Sequence, residues 1–350
     1  MKPVNVGIVG CGAIGPSHIE AGQASEGVNI QAVADIDEEK ARKTAEEFQI
    51  PEHYTDAQKI FDHPDIEGVV LALPTGFRGE LAIRALDAGK NVLLEKPAAM
   101  NCEELEEIKK AAGDLVVASC SARYRFLKTS DLVTEFIAEG NLGDLRILRC
   151  RGLIPAGPPP EKEPPPWRVN KELNGGGILV NWGCYDLDYL LGLCGWELRP
   201  EWVLAQNWPV PPQFKSHIAP GSDAEEHSSA MIKCTGGTVV MFERGEKLPM
   251  QQETAWQITG TKGTVHLSMN SDEKKILFDN TSTEEGVFRE VLWEGKEDMT
   301  PVHAQPIVNF AQAIRGESDP KTGLEEAMVL QKITDAIYES SEGGRPVQLS

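Results

Sequence analysis

Residues 1–15 read MKPVNVGIVGCGAIG, an apolar run followed by three glycines in the spacing G-x-G-x-x-G. In a strand-turn-helix unit the first glycine allows a tight turn, the second lets the backbone approach a pyrophosphate, and the third lets the helix pack on the strand. The free N–H groups and the positive end of that helix then face the phosphates. The pattern predicts a dinucleotide site, against the alternative of a buried strand and turn that bind nothing. The predicted phosphate-binding residues are Gly10, Gly12, Ala13, Ile14 and Gly15.

A second apolar run, residues 29–34 (NIQAVA), ends at Asp35, twenty residues beyond Gly15. A carboxylate at this distance from the glycines hydrogen-bonds the adenosine ribose hydroxyls of a dinucleotide. The spacing therefore predicts that Asp35 completes the same site.

Apolar runs typical of strands alternate with runs of helix formers up to about residue 120. This alternation predicts a doubly wound parallel sheet, in which ligands bind beyond the carboxyl ends of the strands. Two further residue pairs, Pro74-Thr75 and Glu95-Lys96, follow predicted strands and so join the predicted site. Lys96 is either a solvated surface charge or a group that hydrogen-bonds a substrate hydroxyl and exchanges a proton.

The composition excludes several classes of partner. The chain has 350 residues, 41% of them hydrophobic and 25% charged, with a net charge of -20. That charge argues against nucleic acid and against an anionic membrane surface. We expect no signal peptide, no transmembrane helix and no metal site, and reduced cysteines in a cytoplasmic protein, because the seven cysteines are scattered and lack zinc-ligand spacing.

The second half has a different pattern. From about residue 202 to residue 293 short strands and turns predict a large, mostly antiparallel open sheet. Residues 157–167 (GPPPEKEPPPW) contain six prolines and predict a loop, either a spacer or a lid. We predict two domains, an α/β dinucleotide-binding domain over residues 1–122 and an α+β substrate and oligomerisation domain over residues 123–350.

The glycine motif, Asp35 and the stretch AGKNVLLEKP (residues 88–97) together resemble the Gfo/Idh/MocA family of oxidoreductases. The resemblance implies a Rossmann-type first domain, NAD as cofactor, and a Lys96 that contacts the substrate and the nicotinamide region. Asp35 followed by Ile36 is similar to the NAD-preferring rather than the NADP-preferring members. Arg78 stands where many members have histidine.

The stretch 175–195 (GGGILVNWGCYDLDYLLGLCG) resembles a second motif of this family. Periodicity alone favours an apolar helix in which Tyr185 is a core aromatic residue. The family pattern instead places Asn181 at a usual aspartate and Tyr185 at a usual histidine, which implies that Tyr185 is the acid–base group. Trp167 and Arg168 are similar to a Trp-Arg pair that often precedes the glycine run.

These observations predict an NAD(H)-dependent oxidoreductase that transfers a hydride between nicotinamide and a carbinol carbon of a sugar, cyclitol or related polyol. The predicted catalytic groups are Lys96 and Tyr185, and the residues predicted to bind the substrate are Asn181, Arg125, Trp167 and Arg168. Two alternatives stay open, an NAD-dependent glycosidase that oxidises a ring carbon transiently, and a non-catalytic NAD-binding regulator. The resemblance also implies a homodimer or homotetramer.

Overall fold

The computed structural model describes residues 2–349, and these form two compact units. The first comprises the residues up to Arg123 together with Thr300–Met328, and the second comprises Tyr124–Met299 together with the residues from Val329 onward. The segment 300–328, which the sequence analysis assigns to the second domain, thus belongs to the first unit.

The first unit is built on a parallel sheet of six strands in the order β3-β2-β1-β4-β5-β6. This order confirms the predicted doubly wound fold. Its elements are β1 (Val4–Val9), α1 (Gly15–Gln23), β2 (Val28–Ala34), α2 (Glu38–Glu47), β3 (Glu52–Tyr54), α3 (Gln58–Phe61), β4 (Gly68–Leu71), α4 (Arg78–Asp87), β5 (Asn91–Leu94), α5 (Cys102–Ala112), β6 (Val117–Ser119) and α9 (Pro301–Ile314).

Local sequence explains where these helices start. Asp37 caps α2 by accepting from the N–H groups of Glu39 and Lys40, and Asn101 caps α5 by accepting from Glu104 N–H. The helix α9 joins the first unit because its apolar residues Ile307 and Phe310 are fully buried in the cluster around β1.

The second unit is built on a nine-stranded sheet in the order β14-β13-β12-β11-β7-β10-β9-β8-β15. Within the described residues β7 and β10 run parallel and the other neighbours are antiparallel, as the sequence predicts. Its elements are α6 (Lys128–Ala138), β7 (Leu145–Pro155), α7 (Lys171–Asn174), α8 (Cys184–Leu193), β8 (Pro200–Trp208), β9 (His227–Cys234), β10 (Val239–Leu248), β11 (Glu253–Gly260), β12 (Gly263–Leu267), β13 (Glu273–Ser282), β14 (Gly286–Lys296), α10 (Leu324–Gly343) and β15 (Val347–Gln348), with α10 divided between the units near its start.

The helix α8 forms the centre of the second unit, since all ten of its residues are buried. A π-helical turn, Leu179–Gly183, precedes it, so the predicted helix does not run regularly from Ile178. A turn closed by i→i+5 bonds contains more residues than an α-helical turn, so counting at 3.6 residues per turn does not predict its faces.

The outer face of the nine-stranded sheet carries an apolar row across β8, β9 and β10. Leu204, Met231 and Met241 are directly paired neighbours across these strands, and Leu204 and Met241 are each 40% exposed. On β7 the neighbouring Arg149 bonds to Gln257, so the face becomes polar there, as alternation in β7 predicts.

No helix within residues 2–349 combines the length and apolar character needed to cross a bilayer. All seven cysteines are free thiols, and six of them are buried.

Candidate functional site

The glycine turn of the first unit has the geometry that pyrophosphate binding requires. Gly10 adopts φ +104°, and a Cβ there would lie 2.4 Å from the carbonyl oxygen of Ala72, so only glycine fits. A Cβ on Gly15 would lie 2.1 Å from the carbonyl oxygen of Gly10, whereas one on Gly12 would meet no atom within 4 Å. The open side at Gly12 is where a pyrophosphate can approach the backbone, and the residues therefore fit the dinucleotide.

Asp35 lies at the end of β2 and is held in a fixed orientation. Its carboxylate accepts from Cys11 N–H at 2.9 Å through one oxygen and from Asp37 N–H at 3.0 Å through the other. Each oxygen keeps further acceptor capacity, so the group can still receive the hydroxyls of a ribose.

A cavity of about 770 Å³ lies at this end of the sheet, which is large enough for a nucleoside portion of a cofactor. Its lining includes the predicted residues Asp35, Ile36 and Pro74 together with Phe77 and Arg84. Ile36 is 95% exposed and Phe77 is 57% exposed, so both offer apolar surface to a flat base. The sequence analysis missed Phe77, because no local pattern distinguishes it from a buried aromatic residue.

The turn after β5 contains Glu95, Lys96 and Pro97. The peptide bond between Lys96 and Pro97 is cis. Arg78 is almost fully buried and donates to the carbonyl oxygens of all three residues. It also donates to the hydroxyl of Thr75 at 2.8 Å, so one guanidinium ties the two predicted polar strand ends together. Lys96 itself is half-buried.

The Glu95 side chain is buried and engaged inside the unit. One carboxylate oxygen contacts His18 Nε2 at 2.8 Å and accepts from Arg123, and the other accepts from Lys96 N–H at 3.1 Å. Burial alone would raise the pKa of Glu95, but Arg123 and His18 outweigh it and hold the pKa well below its ordinary value. His303 contacts the far side of Arg123 at 2.6 Å, and burial together with that guanidinium lowers the pKa of His303.

Among the described residues, His18, Glu95 and Cys120 place three potential metal-ligand atoms within 4.8 Å of one another. The Arg123 guanidinium already contacts a carboxylate oxygen of Glu95. Burial raises the pKa of the Cys120 thiol well above its usual range, which disfavours the thiolate that metals bind. The chemistry of the cluster is therefore that of an ion-pair network.

In the second unit the glycine run before α8 is fixed by Glu225. Its carboxylate accepts from the N–H groups of Gly177 and Leu179, each at 3.0 Å, and from the Tyr338 hydroxyl at 3.0 Å. Burial raises the pKa of Glu225, although these donors oppose the shift. Glu225 thus holds the start of the helical segment that carries the predicted residues Asn181 and Tyr185.

Tyr185 is 8% exposed and lies in an aromatic cluster. Its ring contacts Tyr124 and Trp182 edge to face, with centroid distances of 5.4 and 5.7 Å. These rings fix the orientation of the phenol, which both a core role and a catalytic role require, so the catalytic role of Tyr185 stays a prediction.

The other predicted substrate residues differ in exposure. Arg125 is buried, donates to Asp188 at 2.6 Å and lies over the Trp196 ring, so its charge is balanced within the unit. On the segment that follows the prolines, the residue Trp167 is 36% exposed and the side chain of Arg168 is 43% exposed. Substrate contact by these residues stays a prediction.

Comparison with known proteins gives two matches to family models. Residues 4–119 match the model described as "Oxidoreductase family, NAD-binding Rossmann fold", and residues 131–266 match "GFO/IDH/MocA C-terminal domain". Together these matches cover more than two thirds of the chain.

Individual relatives align over most of their length. The levoglucosan dehydrogenase of Pseudarthrobacter phenanthrenivorans is 28% identical, over 83% of this chain and 80% of its own. The myo-inositol 2-dehydrogenase of Thermotoga maritima is 22% identical, over 99% and 98%. Among solved structures, a levoglucosan dehydrogenase in complex with NADH and L-sorbose superposes with a TM-score of 0.84 at 23% identity, covering 99% of each chain.

Proposed function

The chain belongs to the Gfo/Idh/MocA family of oxidoreductases, and on this premise we propose that it is a dehydrogenase of a sugar, cyclitol or related polyol. Membership gives the enzyme class and the cofactor: the protein is an oxidoreductase, and its cofactor is NAD. The names of the relatives support the substrate class, since levoglucosan and myo-inositol both present secondary hydroxyl groups on a ring.

The observation that carries the proposal is the construction of the turn at Lys96. Its carbonyl groups are bound by Arg78 and its neighbour Glu95 is locked in a buried ion pair. A surface lysine needs no such support, whereas a lysine that must meet one substrate hydroxyl does.

Each predicted residue has a role in the proposed reaction. When bound, NAD would supply the acceptor or donor for the hydride of the carbinol carbon. Lys96 hydrogen-bonds the reacting hydroxyl; Tyr185 accepts its proton on oxidation as the phenolate and returns it on reduction as the phenol. The predicted substrate residues help to shape the pocket; these are Asn181, Arg125, Trp167 and Arg168.

For the cofactor, the glycine turn would hold the pyrophosphate and Asp35 would accept from the adenosine ribose. Ile36 and Phe77 would flank the base. A carboxylate at the ribose repels a 2′-phosphate, so we propose a preference for NAD over NADP.

The test is a screen of polyols and sugars followed at the NADH absorbance band, with NAD and NADP in parallel. We expect turnover of a ring alcohol with NAD. Lys96→Met and Tyr185→Phe should each lower kcat by about 10²- to 10⁴-fold without weakening NAD binding. The control is Lys43→Met, which changes a lysine that is 64% exposed on α2 and should leave kcat unaltered. Full activity in both site variants would remove the assignment.

The same screen separates the two alternatives. Release of p-nitrophenol from a nitrophenyl glycoside, with NAD retained through purification and no net NADH, would identify a glycosidase. Micromolar NAD binding with no turnover of any polyol or glycoside would identify a regulator.

We further propose that the protein is a homo-oligomer in which the outer face of the nine-stranded sheet contacts a second copy. The support is the exposed apolar row of Leu204 and Met241, with Trp208 42% exposed on the same side of β8. We also propose a cytoplasmic location, supported by the seven free thiols, which persist in a reducing compartment.

A further inference from the structure

The side-chain amide of Asn181 is engaged with the segment that follows the prolines. Its Nδ2 donates to the carbonyl oxygen of Arg168 at 2.8 Å, and its Oδ1 accepts from Asn174 Nδ2 at 3.2 Å. Asn174 Nδ2 also donates to the carbonyl oxygen of Arg168, at 3.4 Å. Asn174 and Asn181 are 3% and 7% exposed, so these bonds lie out of water.

This arrangement requires an amide at position 181. A carbonyl oxygen only accepts, so the group facing Arg168 must donate. An ionised aspartate has the same shape but no donor, and it would place a negative charge against the Arg168 carbonyl oxygen in a buried setting. The geometry therefore gives a physical reason for asparagine here.

The bonded carbonyl lies at the end of a proline-rich segment. We call residues 157–168 the proline strap. The strap begins where His217 Nε2 bonds the carbonyl of Gly157 at 2.9 Å, and near its end Arg168 Nη2 lies 3.5 Å from Glu246. The six prolines in between have no backbone N–H to donate, so the hydrogen bonds at the two ends help to hold the strap.

We infer that Asn181 is a positioning residue that holds the proline strap in place through the Arg168 carbonyl, with Asn174 as its partner. Because the strap carries Trp167 and Arg168, the amide pair sets where these two side chains stand. The effect of the amide pair on substrate affinity rests on the proposed function, whereas the effect of the amide pair on the strap does not.

The test measures hydrogen–deuterium exchange and trypsin cleavage of the strap in the full-length protein. Asn181→Asp should speed exchange of the non-proline amides of residues 157–168, and cleavage after Lys162 and Arg168, by about tenfold or more. A protonated carboxyl can donate where a carboxylate cannot, so the ratio of variant to wild-type exchange should fall as the pH is lowered.

A matched control is available two residues beyond the end of the strap. Asn170→Asp makes the same chemical change beside the strap, but the Asn170 side-chain oxygen accepts from Leu173 N–H at 2.9 Å, a role that a carboxylate also fills. This control should leave strap exchange within about twofold of wild type, with no dependence of the ratio on pH. Should Asn181→Asp not fold, Asn181→Ala carries the same test, with faster exchange at every pH.

The kinetic readout separates this inference from the proposed function. With a substrate from the screen, Asn181→Asp should raise KM about tenfold or more while the Kd of NAD stays unchanged. If the wild-type protein turns over no substrate but strap exchange is faster in Asn181→Asp, the strap role is supported and the proposed function is removed. Unchanged strap exchange and cleavage in both Asn181 variants would overturn the inference.

Discussion

At the scale of single residues, Glu95 is the centre of the buried charge network of the first unit. Its carboxylate binds His18, Arg123 and the backbone of Lys96, which come from three separate parts of the chain. The helix α1, which carries the glycine turn, and the turn at Lys96 are thereby fixed to each other. A change at Glu95 should therefore affect folding before it affects chemistry.

We predict that Glu95→Gln lowers the free energy of unfolding by about 3–5 kcal/mol at neutral pH, because it leaves the buried Arg123 guanidinium without its counter-charge. The pKa of Glu95 is lowered by folding, so this contribution is present above the unfolded value of about 4.3 and is lost as the pH falls below it. Urea unfolding followed by circular dichroism, for both proteins from pH 8 down to pH 3.5, measures this.

The matched control is Glu80→Gln, which removes a carboxylate that is 83% exposed on α4 and should cost less than about 0.5 kcal/mol. Equal stabilities of Glu95→Gln and wild type at pH 7 would contradict the network's role.

At this scale the sequence predicts the positions with local signals and misses their partners. Asp35 follows from its distance to the glycines, and Lys96 from its place after a strand. Arg78 and Arg123 carry no such signal, because their bonds to the Glu95 turn span 17 and 28 residues of the chain. The amide role of Asn181 likewise depends on an Arg168 carbonyl that only the fold brings near.

At the scale of elements, the glycine run before α8 decides how that helix begins. Gly177 packs so closely on the next segment that a Cβ would lie 1.7 Å from the Glu225 carbonyl oxygen. The backbone of this turn therefore cannot keep its place with any larger residue, and the π-helical turn bearing Asn181 follows directly.

We predict that Gly177→Ala destabilises the protein by about 1–3 kcal/mol through this overpacking. It should also lower kcat/KM by about 10²-fold, since displacement of the segment bearing Tyr185 by about 1 Å is enough for such a loss. Thermal unfolding and steady-state kinetics measure the two effects.

Gly157→Ala is the control, because a Cβ there meets no atom within 4 Å. Wild-type kinetics in Gly177→Ala would show that the close contact does not position the segment.

Elements can be predicted from sequence where an apolar run has clear ends, as in β5 (Asn91–Leu94), three of whose four residues are buried. The edge strand β3 has no such signal, because none of its three residues is fully buried. The strand β14 lacks it for a related reason, since its residues are all exposed or half-buried.

At the scale of the whole molecule, the outer face of the nine-stranded sheet is the surface that the oligomer proposal requires. We predict that Met241→Glu shifts the protein from dimer or tetramer to monomer at micromolar concentration, because a charge would have to be buried against the partner's apolar surface. Sedimentation velocity measures the change.

Met250→Glu provides the comparison, as it introduces the same charge at a residue that is 36% exposed outside the strands of this sheet. A monomeric wild-type protein, or an unaltered assembly in Met241→Glu, would contradict the proposed interface.

The two-domain organisation and both sheet types follow from the sequence, because parallel and antiparallel sheets have different hydrophobic patterns. Which segments of the chain belong to which unit does not follow from the sequence. Residues 300–328 belong to the first unit, and what decides this is packing of Ile307 and Phe310 into its core, a contact across nearly the whole length of the chain.

The central claim is direct hydride transfer between a ring alcohol and NAD, and isotope transfer tests it most directly. A substrate from the screen is labelled with deuterium at the carbinol carbon and turned over with NAD, and the NADH formed is analysed by mass spectrometry and NMR. The account predicts one deuterium per NADH, at C4 of the nicotinamide ring. NADH without deuterium, or deuterium recovered only in a cleaved sugar with no NADH accumulating, would contradict it.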